Sequence, residues 1–203
     1  MGYRVVTIAR TLSAGGEAIG RQLAGEFGLR YVDDETIDRA AVLAGVTAEE
    51  MARIEMRKGL IERIFESFAH TGVGAGVAAT STLSEVPGYE KLIVDVIHQT
   101  AAAGNAVIVA HGAAIALGDA PGVLRVLVTA SPATRTARLA AGGNGKSNAR
   151  KMVEESDASR ADFFQRFYKL DYEDATHYDL VINTDHLSIE EAVGLVRGLL
   201  RQG

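Results

Sequence analysis

The first 27 residues constrain the fold most. "YRVVTIA" (3–9) is a short run rich in β-branched residues, and the glycine-bearing turn "RTLSAGG" (10–16) follows it. In "EAIGRQLAGEF" (17–27), Ile19, Leu23 and Phe27 then recur at helical spacing. A strand that passes through glycines into a helix N-terminus opens a nucleotide-binding α/β unit. The rest of the chain keeps that alternation. "LRYVDDETIDRAAVLAG" reads as a short strand that runs into acids and a helix. "EKLIVDVIHQTAAAG" is a helix closed by Gly104, and "NAVIVAHG" is a buried strand. "LRVLVTA" is another strand, with Ser131 as N-cap and Pro132 at N1 of the helix after it. A charged helix over about 148–168, the strand "YDLVINT" and the helix "HLSIEEAVGLVRGLLRQ" complete the chain. Thr47 with Glu50, and Ser188 with Glu191, have capping-box spacing. With no internal repeat and no linker, this order predicts one parallel sheet covered by helices on both faces.

Two stretches compete to hold a phosphate. "AAGGNGKS" (140–147) matches the G-x-x-x-x-G-K-S pattern except for Ala140 at the first glycine. Its context is wrong, because the helical "SPATRTARL" precedes it where a strand is required. The N-terminal loop has the right context and the wrong letters. Ser13 and Gly15 fall on loop glycines, Gly16 falls on the lysine position, and Glu17 and Ala18 fall on the hydroxyl positions. Taken alone, that turn reads equally as a glycine turn without a ligand. Gly15, Gly16 and Gly20, with an acid at Asp33 or Asp34, also echo a dinucleotide turn, but the spacing is not G-x-G-x-x-G. The expectation is a phosphate on 13–18 rather than on 140–147.

Composition excludes several classes. A net charge of -5 without a basic run argues against nucleic acid as the partner. Zero cysteines exclude disulfides and thiol chemistry. "MGYRVVTIAR" is too short and too charged for a secretory signal, and no apolar run approaches membrane length, so a cytoplasmic protein is expected.

Five segments, in order, resemble the cytidylate kinase-like family of P-loop nucleoside monophosphate kinases. "IARTLSAGGEAIGRQLA" is similar to its strand, lysine-less glycine loop and helix. "YVDDETIDRA" is similar to the segment that carries an aspartate, a hydroxyl residue and an arginine, aligned with Asp33, Asp34 and Arg39. "GDAPGVLRVLVTASPATRTARL" resembles its Asp-Ala-Pro, strand and arginine-bearing helix, and "ESDASRADFF" places Asp157 and Arg160 at the lid's Asp-x-x-Arg spacing. "YDLVINTDHLSIEEAV" resembles the terminal strand and helix. Two positions depart from the pattern. The loop lysine of cytidylate kinases proper is absent, and Ala110-His111 stands where Gly-Arg is usual. A neutral histidine does not replace a guanidinium on a phosphate.

The resemblance implies a P-loop NTPase-type parallel sheet in a single domain, with a helical insert at about 47–103 and a lid at about 141–170. It implies Mg-ATP as phosphoryl donor, with Mg²⁺ as the metal, and CMP or dCMP as acceptor. The ATP-binding residues would be Arg10, Ser13, Ala14, Gly15, Gly16, Glu17 and Ala18, and the catalytic ones Asp33, Arg135, Arg138 and Arg160. The acceptor would be held by Asp33, Asp34, Arg39, His111, Asp157 and Arg160. Each has a plainer reading: Asp33 as a helix N-cap, Asp157 as an i,i+3 partner of Arg160, and Arg166 as part of a solvated face. Arg10 or Lys146 is the candidate for the missing loop charge. The alternative to a kinase is a nucleotide-binding protein without catalysis, and a dinucleotide-dependent oxidoreductase rests on the first turn alone. The small-residue stretch at 70–88 offers a homodimer contact or an acceptor-site insert.

Overall fold

The computed structural model describes residues 2–37, 40, 89–109, 112–143 and 145–201. The expected capping box at Thr47 and Glu50, the stretch at 70–88, Arg39 and His111 lie outside the described residues.

Five strands form one parallel sheet in the order β2-β3-β1-β4-β5. They are β1 (Val5–Arg10), β2 (Arg30–Asp33), β3 (Ala106–Val109), β4 (Val123–Thr129) and β5 (Leu180–Asn183). The described helices are α1 (Gly16–Phe27), α2 (Tyr89–Ala103), α3 (Ala113–Leu117), α4 (Pro132–Ala141), α5 (Lys146–Tyr168) and α6 (Ile189–Arg201). A 3₁₀ turn spans Ala175–His177. No described helix is long and apolar enough to cross a membrane.

Alternation along the strands builds two cores. In β3, wholly buried, Val107 and Val109 face one side while Ala106 and Ile108 face the other. The first side receives Ile19 and Leu23 of α1 with Val193 and Val196 of α6. The second receives Ile93, Val96 and Ile97 of α2 with Ala113 and Leu117 of α3. Full burial of Ile19 and Leu23 (each 0% exposed) contributes about 1.5–3 kcal/mol apiece and fixes α1 to the sheet. Close approach is what the α1 glycines allow. A Cβ at Gly20 would lie 2.8 Å from Val109 Cγ2 and 3.1 Å from Tyr31 Cε2.

The local start signals hold. Ser131 Oγ accepts from Thr134 N at 3.3 Å, with proline at N1 of α4. Ser188 Oγ accepts from Glu191 N at 3.2 Å while the Glu191 carboxylate accepts from Ser188 N at 2.8 Å. Gly104 turns left-handed (φ 70°) just beyond α2. The five-residue α3, entered through left-handed Gly112, is an addition to the sequence expectation; it is too short to show a helical period.

Candidate functional site

Strand β1 lies at the sheet's centre, between β3 and β4. Crossovers leave it and its neighbours in opposite directions, so a crevice opens at the carboxyl ends of these strands. The loop after β1 occupies that place. Thr11 N donates to Val128 O (3.1 Å) and Ala14 N to Thr11 O (3.1 Å), with Ser13 at φ 61° and Gly15 at φ 95°. Gly15 then caps α1 without any side-chain hydrogen bond. Ile19 N is satisfied by Gly15 O, whereas among the described residues the N–H groups of Gly15, Gly16, Glu17 and Ala18 donate to no backbone carbonyl. Orphan N–H groups on a positive helix end make an anion cradle.

The loop is braced from across the sheet. Thr184, fully buried just past β5, donates its hydroxyl to Ala14 O at 2.8 Å. Arg138 of α4 donates Nη1 to Thr184 Oγ1 (2.9 Å) and to Ser13 O (3.3 Å), and Nη2 to Thr184 O (2.5 Å). Asp185 accepts from Ser131 N at 2.8 Å, which joins the turn after β5 to the cap of α4. Thr184 was missed in the sequence. Its only signal there is a hydroxyl residue directly after the last strand.

Arg10, the last residue of β1, donates Nε to Glu17 Oε1 (2.7 Å) and Nη2 to Asp34 Oδ2 (2.8 Å). Its guanidinium is largely buried, yet Asp34 and Glu17 outweigh that burial and hold its pKa above the usual value. Arg160 of α5 comes to the same place. Burial first, then the charge of Arg10, pull its pKa below the ordinary arginine value. No carboxylate is in ion-pair contact with Arg160 among the described residues, and its guanidinium carbon sits 6.0 Å from the centre of the Tyr172 ring. An incoming anion would relieve the repulsion between Arg10 and Arg160.

Asp33 divides its two oxygens. Oδ1 caps the turn that follows, accepting from Thr36 N (3.0 Å) and Thr36 Oγ1 (2.7 Å). Oδ2 faces Arg21 Nη2 at 3.8 Å, with Arg21 also 4.3 Å over the Tyr31 ring. Arg135 is a buried staple between helices. Its Nη1 and Nη2 reach both oxygens of Asp157 at 2.8 and 2.7 Å, and Nε donates to Ala130 O at 2.8 Å. Asp157 thus pairs across α4 and α5, and the plainer reading of it as an i,i+3 partner of Arg160 is not what forms. Arg166 pairs with Asp162 at 2.8 Å on an exposed face.

The second glycine stretch joins α4 to α5. Gly142 ends one helix, Gly145 begins the next, and Lys146 is an exposed first residue of α5. No strand feeds it, unlike the loop after β1. Lys146→Ala is accordingly expected to leave nucleotide affinity within about twofold of the parent and to reduce turnover several-fold. Calorimetry beside a steady-state assay checks both parts.

Residues 5–186 match the model of the cytidylate kinase-like family. A cytidylate kinase of Desulfurococcus amylolyticus is 25% identical over 184 residues, 89% of this chain and 83% of that protein. One from Methanocorpusculum labreanum is 34% identical over 74 residues, 36% of this chain and 42% of the other. Among solved structures, an uncharacterized protein from Eubacterium ventriosum superposes with a TM-score of 0.70 at 16% identity, covering 98% of this chain and 99% of that one. A shikimate kinase from Bacteroides thetaiotaomicron gives 0.51 at 17% identity, with 97% and 98% covered. The fold is that of the P-loop kinases, and this chain belongs to the cytidylate kinase-like family.

Proposed function

We propose that this protein is a nucleoside monophosphate kinase of cytidylate type, transferring the γ-phosphoryl group of Mg-ATP to CMP or dCMP in the cytoplasm. The observation that carries this reading is the cradle of undirected N–H groups from Gly15 to Ala18, with the Arg10 and Arg160 guanidiniums beside it. Phosphoryl transfer needs positioning and charge neutralisation more than a strong base. The donor's phosphates sit on residues 13–18, below Arg10. When bound, Mg²⁺ would supply charge neutralisation at the phosphates, and Asp33 Oδ2, which faces Arg21 at 3.8 Å, is the carboxylate oxygen that would hold its waters.

Arg138 keeps the cradle's rim in shape through Ser13 and Thr184, and Arg135 keeps α5 against the core so that Arg160 stays over the site. In the acceptor site, Arg39 and Arg160 take the α-phosphate, and Asp34 and His111 line it. Each Asp157 oxygen retains a lone pair beyond its bond to Arg135, so it can accept from cytosine's exocyclic amine. The whole forms one domain in which α5 belongs to the lid.

A coupled assay of ADP release across the common nucleoside monophosphates tests the reading. Turnover is expected with CMP or dCMP above the others, and a folded protein that turns over none of them would end it. The occupation of Arg10 by two carboxylates favours one alternative, a nucleotide-binding protein without catalysis. Calorimetric ATP binding with no turnover would select that alternative.

A further inference from the structure

We propose that Arg10 is the phosphate-binding cation of this site, lying from the strand across the position where P-loop proteins carry it on the loop, and held in reserve by Glu17 and Asp34. This deepens the kinase reading and rests on it. Position 16 is where the loop lysine would stand, and Gly16 offers no side chain there. A Cβ built on Gly16 would lie 2.6 Å from Arg10 Cβ and 3.1 Å from Arg10 Cγ. The space for a side chain at 16 is therefore already filled by the stem of Arg10. A side chain at 10 thus excludes one at 16, and in this chain the side chain at 10 carries the cation.

Arg10 remains beside the cradle, since its Nε binds a residue of the first turn of α1, Glu17, at 2.7 Å. Glu17 and Asp34 are partly exposed, with side-chain accessibilities of 44% and 35%, so both can turn toward water when a phosphate takes their place on the guanidinium. An arginine binds a phosphate through two parallel N–H bonds, and the fork that now meets two separate carboxylates suits that exchange. Because the carboxylates compete with the ligand, neutralising one should tighten phosphate binding.

The experiment is calorimetric titration of Mg-ADP and of adenosine into the parent and into Arg10→Ala, Arg10→Lys and Glu17→Gln, each checked for folding by thermal melting. Arg10→Ala should weaken Mg-ADP about ten- to hundredfold and leave adenosine unchanged, as expected for one lost charge-assisted contact. Arg10→Lys should recover part of the loss, and Glu17→Gln should bind Mg-ADP more tightly than the parent. If Arg10→Ala, folded, binds Mg-ADP as the parent does, or if Arg10→Lys recovers nothing, the assignment is wrong while the kinase reading stands. A parent protein that binds no nucleotide would overturn both.

Discussion

Gly15→Val should lose at least about a hundredfold in ATP affinity and melt about 3–10 °C lower, making it the most damaging single change in the loop. Gly15 holds φ 95° and ψ 7°, a conformation that a β-branched residue adopts only at a cost of about 1–3 kcal/mol. For a chain of this size, each kcal/mol lowers the melting point by roughly 2–4 °C. The space is also taken, because a Cβ there would overlap Cδ1 of Ile189, the first residue of α6, which packs against the first core. Either the loop moves or α6 does. Loop movement turns the N–H groups of Gly16, Glu17 and Ala18 away from their common focus, and each misdirected donor loses a charge-assisted bond to phosphate. Lys146→Ala is the internal comparison, since it removes a positive charge without touching the loop. Should Gly15→Val bind ATP like the parent while Lys146→Ala does not, the phosphate belongs on 140–147. Melting curves separate binding loss from unfolding.

The flanking elements of the two glycine stretches were legible in the sequence alone. A helix pattern precedes 140–147, and β-branched residues precede 13–18. The structure places Gly145 between two helices, with Lys146 opening the second, and Gly15 between strand and helix. Helix starts at Ser131 and Ser188 were legible for the same reason, because caps act within four residues of chain.

Contacts made by the fold were not legible. Thr184 meets Ala14 across 170 residues, and Arg10 fills the place of a side chain at Gly16 only because β1 and α1 pack there. The spacing of Arg135 and Arg138 put them on one face of α4 but could not say what that face meets. One reaches Asp157 of α5 and the other the loop at Ser13. Asp33 shows its capping reading, with Oδ1 accepting from Thr36, while Oδ2 faces Arg21.

The pair Arg135–Asp157 carries the other large effect, and its two halves are unequal. The Arg135 side chain is 4% exposed and the Asp157 side chain 34%. Removing the carboxylate strands a guanidinium that, among the described residues, has only Ala130 O left to bind, away from water. Removing the guanidinium strands a carboxylate that water already reaches. Breaking a buried pair from the side that leaves a buried charge costs about 3–5 kcal/mol, whereas an apolar replacement at the buried side leaves only a carboxylate that water can hydrate and costs less. Asp157→Ala should therefore lose about 3 kcal/mol and melt about 6–12 °C lower, and Arg135→Met should lose about 1 kcal/mol. The double variant Arg135→Met/Asp157→Ala should be more stable than Asp157→Ala alone, because it removes the stranded charge. Denaturant unfolding of the three variants measures the order directly. The consequence for the site follows from position. α5 presents Arg160 three residues after Asp157, so loosening the staple should also raise the KM for the acceptor in Asp157→Ala. If Asp157→Ala is as stable as the parent, or Arg135→Met is the worse of the two, the guanidinium is not held as a buried charge and α5 is fixed by its apolar contacts at Ala149, Val153 and Phe164.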